Sequence, residues 1–239
     1  IFTYYNHRPA QLRRWHPGYG LALTEASEYD ELKGYASTGG AAAVTEAYAA
    51  SQRQLIEGIH RLLVATASRP PSLGCFGLHE WAMVYQDDAT RHPLPLRLGA
   101  SGTNAVVDSH KVACSHFDAF RFFTPTARPR NTLSPGRDDR PDFEQPGCLH
   151  ASMDLYKHAY RLSPLIPSEL VADCLELAIA VREVDMRASP YDLSSLDYTA
   201  IPIETAAGKA EYLAQQRRFM GLAAPLRARL IEHCQRLLT

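Results

Sequence analysis

Histidines and carboxylates crowd the middle of this chain. Six of its ten histidines, His79, His92, His110, His116, His150 and His158, fall between Gly74 and His158. Three groups of them stand beside acids at spacings that matter. In Cys114-Ser115-His116-Phe117-Asp118 an extended backbone would put Cys114, His116 and Asp118 on one face, because strand side chains alternate. A carboxylate beside an imidazole fixes its tautomer and raises its basicity, which suits a general base or a metal ligand. The same pair also serves as an ordinary buried hydrogen bond. His150, Asp154 and His158 recur every four residues and so share one stripe of a helix. Metal sites use such stripes, although the His-Glu-x-x-His pattern is absent and solvated helix faces carry the same residues. His79-Glu80 lies among Leu78, Trp81, Met83, Val84 and Tyr85, so one of the two polar side chains meets an apolar wall. Desolvation there would tune a carboxyl group for acid or base work near neutrality.

These residues need elements to hold them. Glu46 to Ala67 carries Tyr48, Leu55, Ile59, Leu62 and Leu63 near helical spacing, and Arg69-Pro70-Pro71 stops it, which predicts one helix. A second helix is predicted from a Ser72 cap through Tyr85 to near Asp87, weakened at its start by Gly74 and Gly77. Leu94 to Leu98 and Val112 to Phe123 alternate apolar and polar residues and are expected to form short strands of a small sheet. Thr124 to Gly147, with five prolines, is expected to be an ordered surface loop. Helices then resume at Leu149 to Arg161, Ser168 to Met186 and Ala206 to Leu238, the last with a kink at Pro225. The expectation is a mainly α protein with a small β component. One compact domain is expected over residues 1–239, with helices around a short central sheet or extended segments.

Composition narrows the function classes. Hydrophobic residues at 46% and charged residues at 21% describe a packed globular chain. A formal charge of -1 removes any global attraction to nucleic acid or anionic membrane, so a nucleic-acid partner would need a local basic patch. The basic aromatic stretches from Arg8 to His16 and around Arg121-Phe122-Phe123 are the candidates, with snorkelling arginines the plainer account. No apolar run is long enough for a membrane span. Five widely spaced cysteines, with no C-x-x-C, are expected to be reduced thiols of a cytoplasmic protein. A chain that opens on Ile1 is expected to lack upstream residues. Gly18-Tyr19-Gly20 and Gly39-Gly40 lack the context of a phosphate loop, and no Gly-x-Ser-x-Gly elbow is present, which excludes the simplest nucleotide-hydrolysing and serine-hydrolase classes.

Several blocks together resemble a known family. They are His7-Arg8-Pro9-Ala10-Gln11-Leu12-Arg13-Arg14-Trp15-His16-Pro17-Gly18, Gly74-Cys75-Phe76-Gly77-Leu78-His79-Glu80-Trp81, Cys114-Ser115-His116-Phe117-Asp118-Ala119-Phe120-Arg121, Gln145-Pro146-Gly147-Cys148-Leu149-His150 and Met186-Arg187-Ala188-Ser189-Pro190-Tyr191. They are similar to an actinobacterial family labelled 3-methyladenine DNA glycosylase, over nearly the whole chain. The resemblance implies hydrolysis of the N-glycosidic bond of an alkylated purine flipped out of DNA, without a cofactor. On that expectation a carboxylate stabilises the oxocarbenium ion or activates water, with Asp118 first, Glu80 next and His116 orienting. Trp15, Trp81 or Tyr85 would stack the base, Arg8, Arg13 and Arg121 would hold phosphates, and His79, His150 and Asp154 would complete the substrate site. The glycine-rich hairpin and following aspartate of helix-hairpin-helix glycosylases are absent. Two alternatives from other classes stay open. One is a metal-dependent enzyme using some of His79, Glu80, His116, Asp118, His150, Asp154 and His158 on a small molecule. The other is a ligand-binding protein without catalysis.

Overall fold

The computed structural model describes residues 1–87, 90 and 92–239. Helix takes up 56% of the chain and strand 6%, so the protein is mainly α with a small β component. Ten α-helices occur among the described residues. The four longest are α3 (Arg53–Ser68), α8 (Leu149–Leu162), α9 (Ser168–Arg187) and α10 (Ala206–Leu238). The others are α1 (Phe2–Tyr5), α2 (Glu46–Ser51), α4 (Leu78–Ala82), α5 (Gly99–Ser109), α6 (Phe117–Phe120) and α7 (Arg140–Phe143). No helix among the described residues is long and apolar enough to cross a membrane.

The chain forms two compact units. Unit 1 comprises Ile1–Val64, Met153–Ile179 and Ala223–Thr239; unit 2 comprises Ala65–Ser152 and Ala180–Leu222. Unit 1 contains the sheet, which is antiparallel in the order β1 (Ala22–Thr24), β3 (Ala41–Val44), β2 (Tyr35–Thr38). Thr38 pairs with Ala41, so Gly39-Gly40 is a two-residue hairpin loop, and φ of 61° and 80° at the two glycines is the left-handed backbone such a loop requires. The β2–β3 pairing aligns Tyr35 with Val44, both buried. The helix expected over Glu46 to Ala67 is divided at Gln52 (φ -95°, ψ 2°) into α2, capped by the Thr45 hydroxyl on the Tyr48 N–H at 3.1 Å, and α3.

Two expectations for unit 2 are corrected. The segments Leu94 to Leu98 and Val112 to Phe123 do not build a sheet: each makes one isolated bridge, Leu96 with Tyr191 and Val112 with Asn131, and Phe117–Phe120 is helical. The inferred alternation fails because Cys114, Ser115 and His116 are buried consecutively, so no solvent face exists to alternate with. His116 instead precedes α6 and accepts the Phe120 N–H at 2.9 Å. The helix expected from Ser72 shrinks to α4, because Phe76 (φ 47°) and Gly77 (φ 72°) are left-handed just before it and Gln86 (φ 51°) turns the chain after it. Ser72 caps nothing there; Gln145 binds its backbone N–H at 2.8 Å and its carbonyl at 3.2 Å.

The proline-rich stretch from Thr124 to Gly147 is ordered by side chains that replace missing backbone partners. Asn131 accepts from the Cys114 N–H at 2.6 Å and donates to its carbonyl at 2.9 Å, and the Gln216 amide donates to the Gly147 carbonyl at 3.0 Å. The long helices follow their periodicity. In α9 the buried positions Leu170, Cys174, Leu177, Ala178, Val181 and Val184 trace one stripe. α10 runs unbroken through Pro225, with Tyr212, Phe219, Ala223, Leu230 and Cys234 buried along it.

Candidate metal centre

Within unit 2 three elements converge on one buried cluster. α4 supplies His79 and Glu80, the first turn of α8 supplies His150, and α9 supplies Asp185 together with Arg182. One ligand atom from each of His79, Glu80, His150 and Asp185 lies within 4.8 Å of the other three, and all four residues are buried. The left-handed Gly77 starts α4 at the angle that points two successive polar side chains inward, and an added Cβ there would meet the Tyr212 ring at 3.3 Å.

The internal geometry is tight. His79 Nε2 stands 2.9 Å from Asp185 Oδ1 and 3.9 Å from Glu80 Oε1, and His150 Nε2 stands 4.0 Å from Asp185 Oδ2. The His79 and His150 rings meet edge-on at 4.5 Å. Arg182 Nη1 donates to Asp185 Oδ2 at 2.6 Å and to Glu80 Oε1 at 3.3 Å, clamping the two carboxylates. On its other nitrogen His79 faces the Cys75 thiol, with Nδ1 to Sγ at 3.7 Å. Burial alone would lower the His79 pKa, but the charge and hydrogen bond of Asp185 outweigh it and raise it well above the ordinary value. Burial would likewise raise Asp185, and the positive charges of His79, His150 and Arg182 reverse this, holding the carboxylate ionised.

A second row of polar side chains continues from the cluster. His116 stacks on His150 with centroids 5.2 Å apart, and its Nε2 lies 3.6 Å from Glu144 Oε1. Glu144 is bound by Arg140 at 2.6 Å, and Arg140 also approaches Asp118 at 3.8 Å. Asp118 is further paired with Arg121 at 3.5 Å and keeps 24% of its side chain exposed. Glu80, His79, His116, His150 and Asp118 thus belong to one network, with Asp118 at its outer end rather than among the four convergent ligands.

The remaining predicted residues lie elsewhere. Asp154 belongs to unit 1, where it accepts from the Tyr5 hydroxyl at 2.7 Å and pairs with Lys157 at 3.3 Å; His158 is buried in the same unit. Of the stripe of His150, Asp154 and His158, only His150 is among the four convergent side chains. Trp81 and Tyr85 are fully buried, the indole N–H on the Ala188 carbonyl at 2.9 Å and the phenol on Asp108 at 2.7 Å, so neither ring presents a face for a base. Arg8, Arg13 and Trp15 are exposed in unit 1, Trp15 donating to Glu169 at 2.6 Å, whereas Arg121 belongs to unit 2 with its guanidinium 4.4 Å over Phe122.

Asp185, Arg182 and Glu144 were missed by the sequence reading. Asp185 had a signal: in the series Ala178, Val181, Asp185, Ala188 it occupies the apolar phase of α9, where a carboxylate must be buried and partnered. Beside His79 lies a cavity of about 10 Å³, also lined by Cys75, Cys114, Ser115, Gln145 and Gln216, which is room for about one water molecule. Comparison with protein families, with curated proteins and with solved structures finds no match for this chain.

Proposed function

We infer that unit 2 holds a transition-metal ion on His79, Glu80, His150 and Asp185, and that the protein is a metal-dependent enzyme acting on a small molecule. The observation that carries this reading is the convergence of two imidazoles and two carboxylates, all buried, within 4.8 Å. Ligands about 2.1 Å from one ion stand roughly 3–4 Å apart, so the four atoms need to close by only about an ångström. Imidazole with carboxylate suits zinc, iron or manganese rather than magnesium or calcium. Such an ion supplies Lewis acidity and activates bound water. The side chains around it have separable roles: Arg182 bridges the two acids through Glu80 Oε1 and Asp185 Oδ2, Cys75 sets the orientation of the His79 ring, and His116 packs the His150 ring in place. Metal analysis of the purified protein tests the reading. About one transition-metal ion per chain is expected, and His150→Gln and Asp185→Asn should retain less than about a tenth of it while keeping the wild-type circular dichroism. Metal-free wild type that cannot be reconstituted would refute it.

A second reading, excision of an alkylated purine from DNA, follows the family resemblance and rests on Asp118. Its partly exposed carboxylate stands between Arg121 and Arg140, and the Arg121 guanidinium lies over the exposed ring of Phe122. Release of 3-methyladenine from alkylated DNA, abolished by Asp118→Asn but untouched by chelation, would support this reading over the metal enzyme.

A further inference from the structure

Unit 1 contains a separate cavity of about 510 Å³, within the range of small-molecule sites. Three cations line it: Arg14 from the chain after the Pro9–Arg13 turn, Lys33 ahead of β2, and Arg161 from the last turn of α8. No carboxylate among the described residues lines it. Some arginines elsewhere in this protein pair with acids, as in Arg97 with Glu204 at 2.7 Å and Arg229 with Asp173 at 2.6 Å, and others, such as Arg8 and Arg13, stand exposed without one among the described residues. Arg14 and Arg161 make no ion pair among the described residues, and Lys33 meets only the Tyr48 ring, 5.9 Å from its centroid.

The walls are of the opposite character. Leu12, Leu55, Val171 and Leu175 supply aliphatic surface, and the Tyr160 ring is fixed by stacking on His7 at 3.7 Å. His16 adds a polar group without adding charge: its Nδ1 is bonded to the Tyr35 hydroxyl at 2.9 Å, and burial, helped by Arg14, keeps its pKa below the ordinary value. Three exposed cations thus line an apolar hollow with no lining carboxylate among the described residues to neutralise them, which favours an anion there.

We propose that this cavity binds an amphipathic organic anion, with a carboxylate or phosphate head on Arg14, Lys33 and Arg161 and an apolar body along the leucine and valine wall. The site goes beyond the metal-enzyme reading and does not depend on it.

Calorimetric titration of the intact protein with decanoate, decyl phosphate, decanol and decyltrimethylammonium, each below its micellar concentration, tests the proposal. Saturable one-to-one binding of at least one anion is expected, with decanol and the cation at least tenfold weaker; preference between the anions identifies the head group. Arg14→Gln and Arg161→Gln, both exposed and tolerant of substitution, should each weaken the anion about tenfold, the factor expected for one charge-assisted contact. Chelator-treated protein should bind equally well, which separates this site from the metal centre. Equal binding of decanol, no anion binding at millimolar concentration, or indifference to both substitutions would overturn the proposal.

Discussion

At the scale of single residues the chemistry concentrates on Asp185. It is 1% exposed and answers to His79, His150 and Arg182 at once, so removing it strands buried positive charge. Asp185→Ala should destabilise the protein by about 3–5 kcal/mol, the usual cost of breaking a buried pair, read as a lowered urea midpoint. A second residue contributes to acid sensitivity. His7 stacks on Tyr160 and is held at a pKa of about 4 by burial first and by Lys157 next, with Asp154 opposing. The unfolded chain, with an imidazole pKa near 6.5, therefore binds the extra proton between about pH 6.5 and 4. Stability should fall as pH drops through that window and level off below it; His7→Phe, which keeps a ring against Tyr160, should remove that part of the decline. A midpoint that falls equally in both proteins would discount the assignment. His79, Glu80 and His150 were legible because histidine beside acid is visible in a string of letters. Asp185 was not, because its partner lies 106 positions away and only the phase of α9 betrays its burial.

At the scale of elements, two glycines of α10 make a controlled comparison. A Cβ on Gly208 would fall 2.0 Å from the Pro202 carbonyl oxygen, whereas one on Gly221 would meet nothing within 4 Å. Gly208→Ala should lower stability by about 1–3 kcal/mol or more, through forced displacement of the Pro202 turn. Gly221→Ala should raise it by roughly 0.5–1 kcal/mol through helix propensity. Thermal melts of the two variants check both signs. The long helices were readable in sequence because their apolar period and flanking prolines agree. The sheet was not: β3 reads Ala-Ala-Ala-Val, mostly the strongest helix former, and the hairpin that makes it a strand depends on two glycines that look like any flexible loop. The expected strand around Cys114 failed for the converse reason, an apolar-polar alternation in a segment covered on both faces.

At the scale of the whole molecule, five cysteines form no disulfide, and three of them, Cys114, Cys174 and Cys234, are buried. Burial pushes the thiols of Cys174 and Cys234 up to about 12 and raises Cys114 well above its ordinary value, so none is a thiolate at neutral pH. Titration with a chromogenic disulfide at pH 8 should find these three unreactive in the native protein and all five reactive in denaturant; rapid native reaction of five would contradict the packing. Arg182 already offers the buried acids a positive partner, so guanidinium and ion are rivals for the same carboxylates. Anomalous diffraction from crystals of metal-loaded protein decides between guanidinium and metal. A peak is predicted within about 2.5 Å of His79 Nε2, His150 Nε2 and a carboxylate oxygen of both Glu80 and Asp185. Metal-loaded crystals with no peak there, and with Arg182 alone bridging Glu80 and Asp185, would contradict the account.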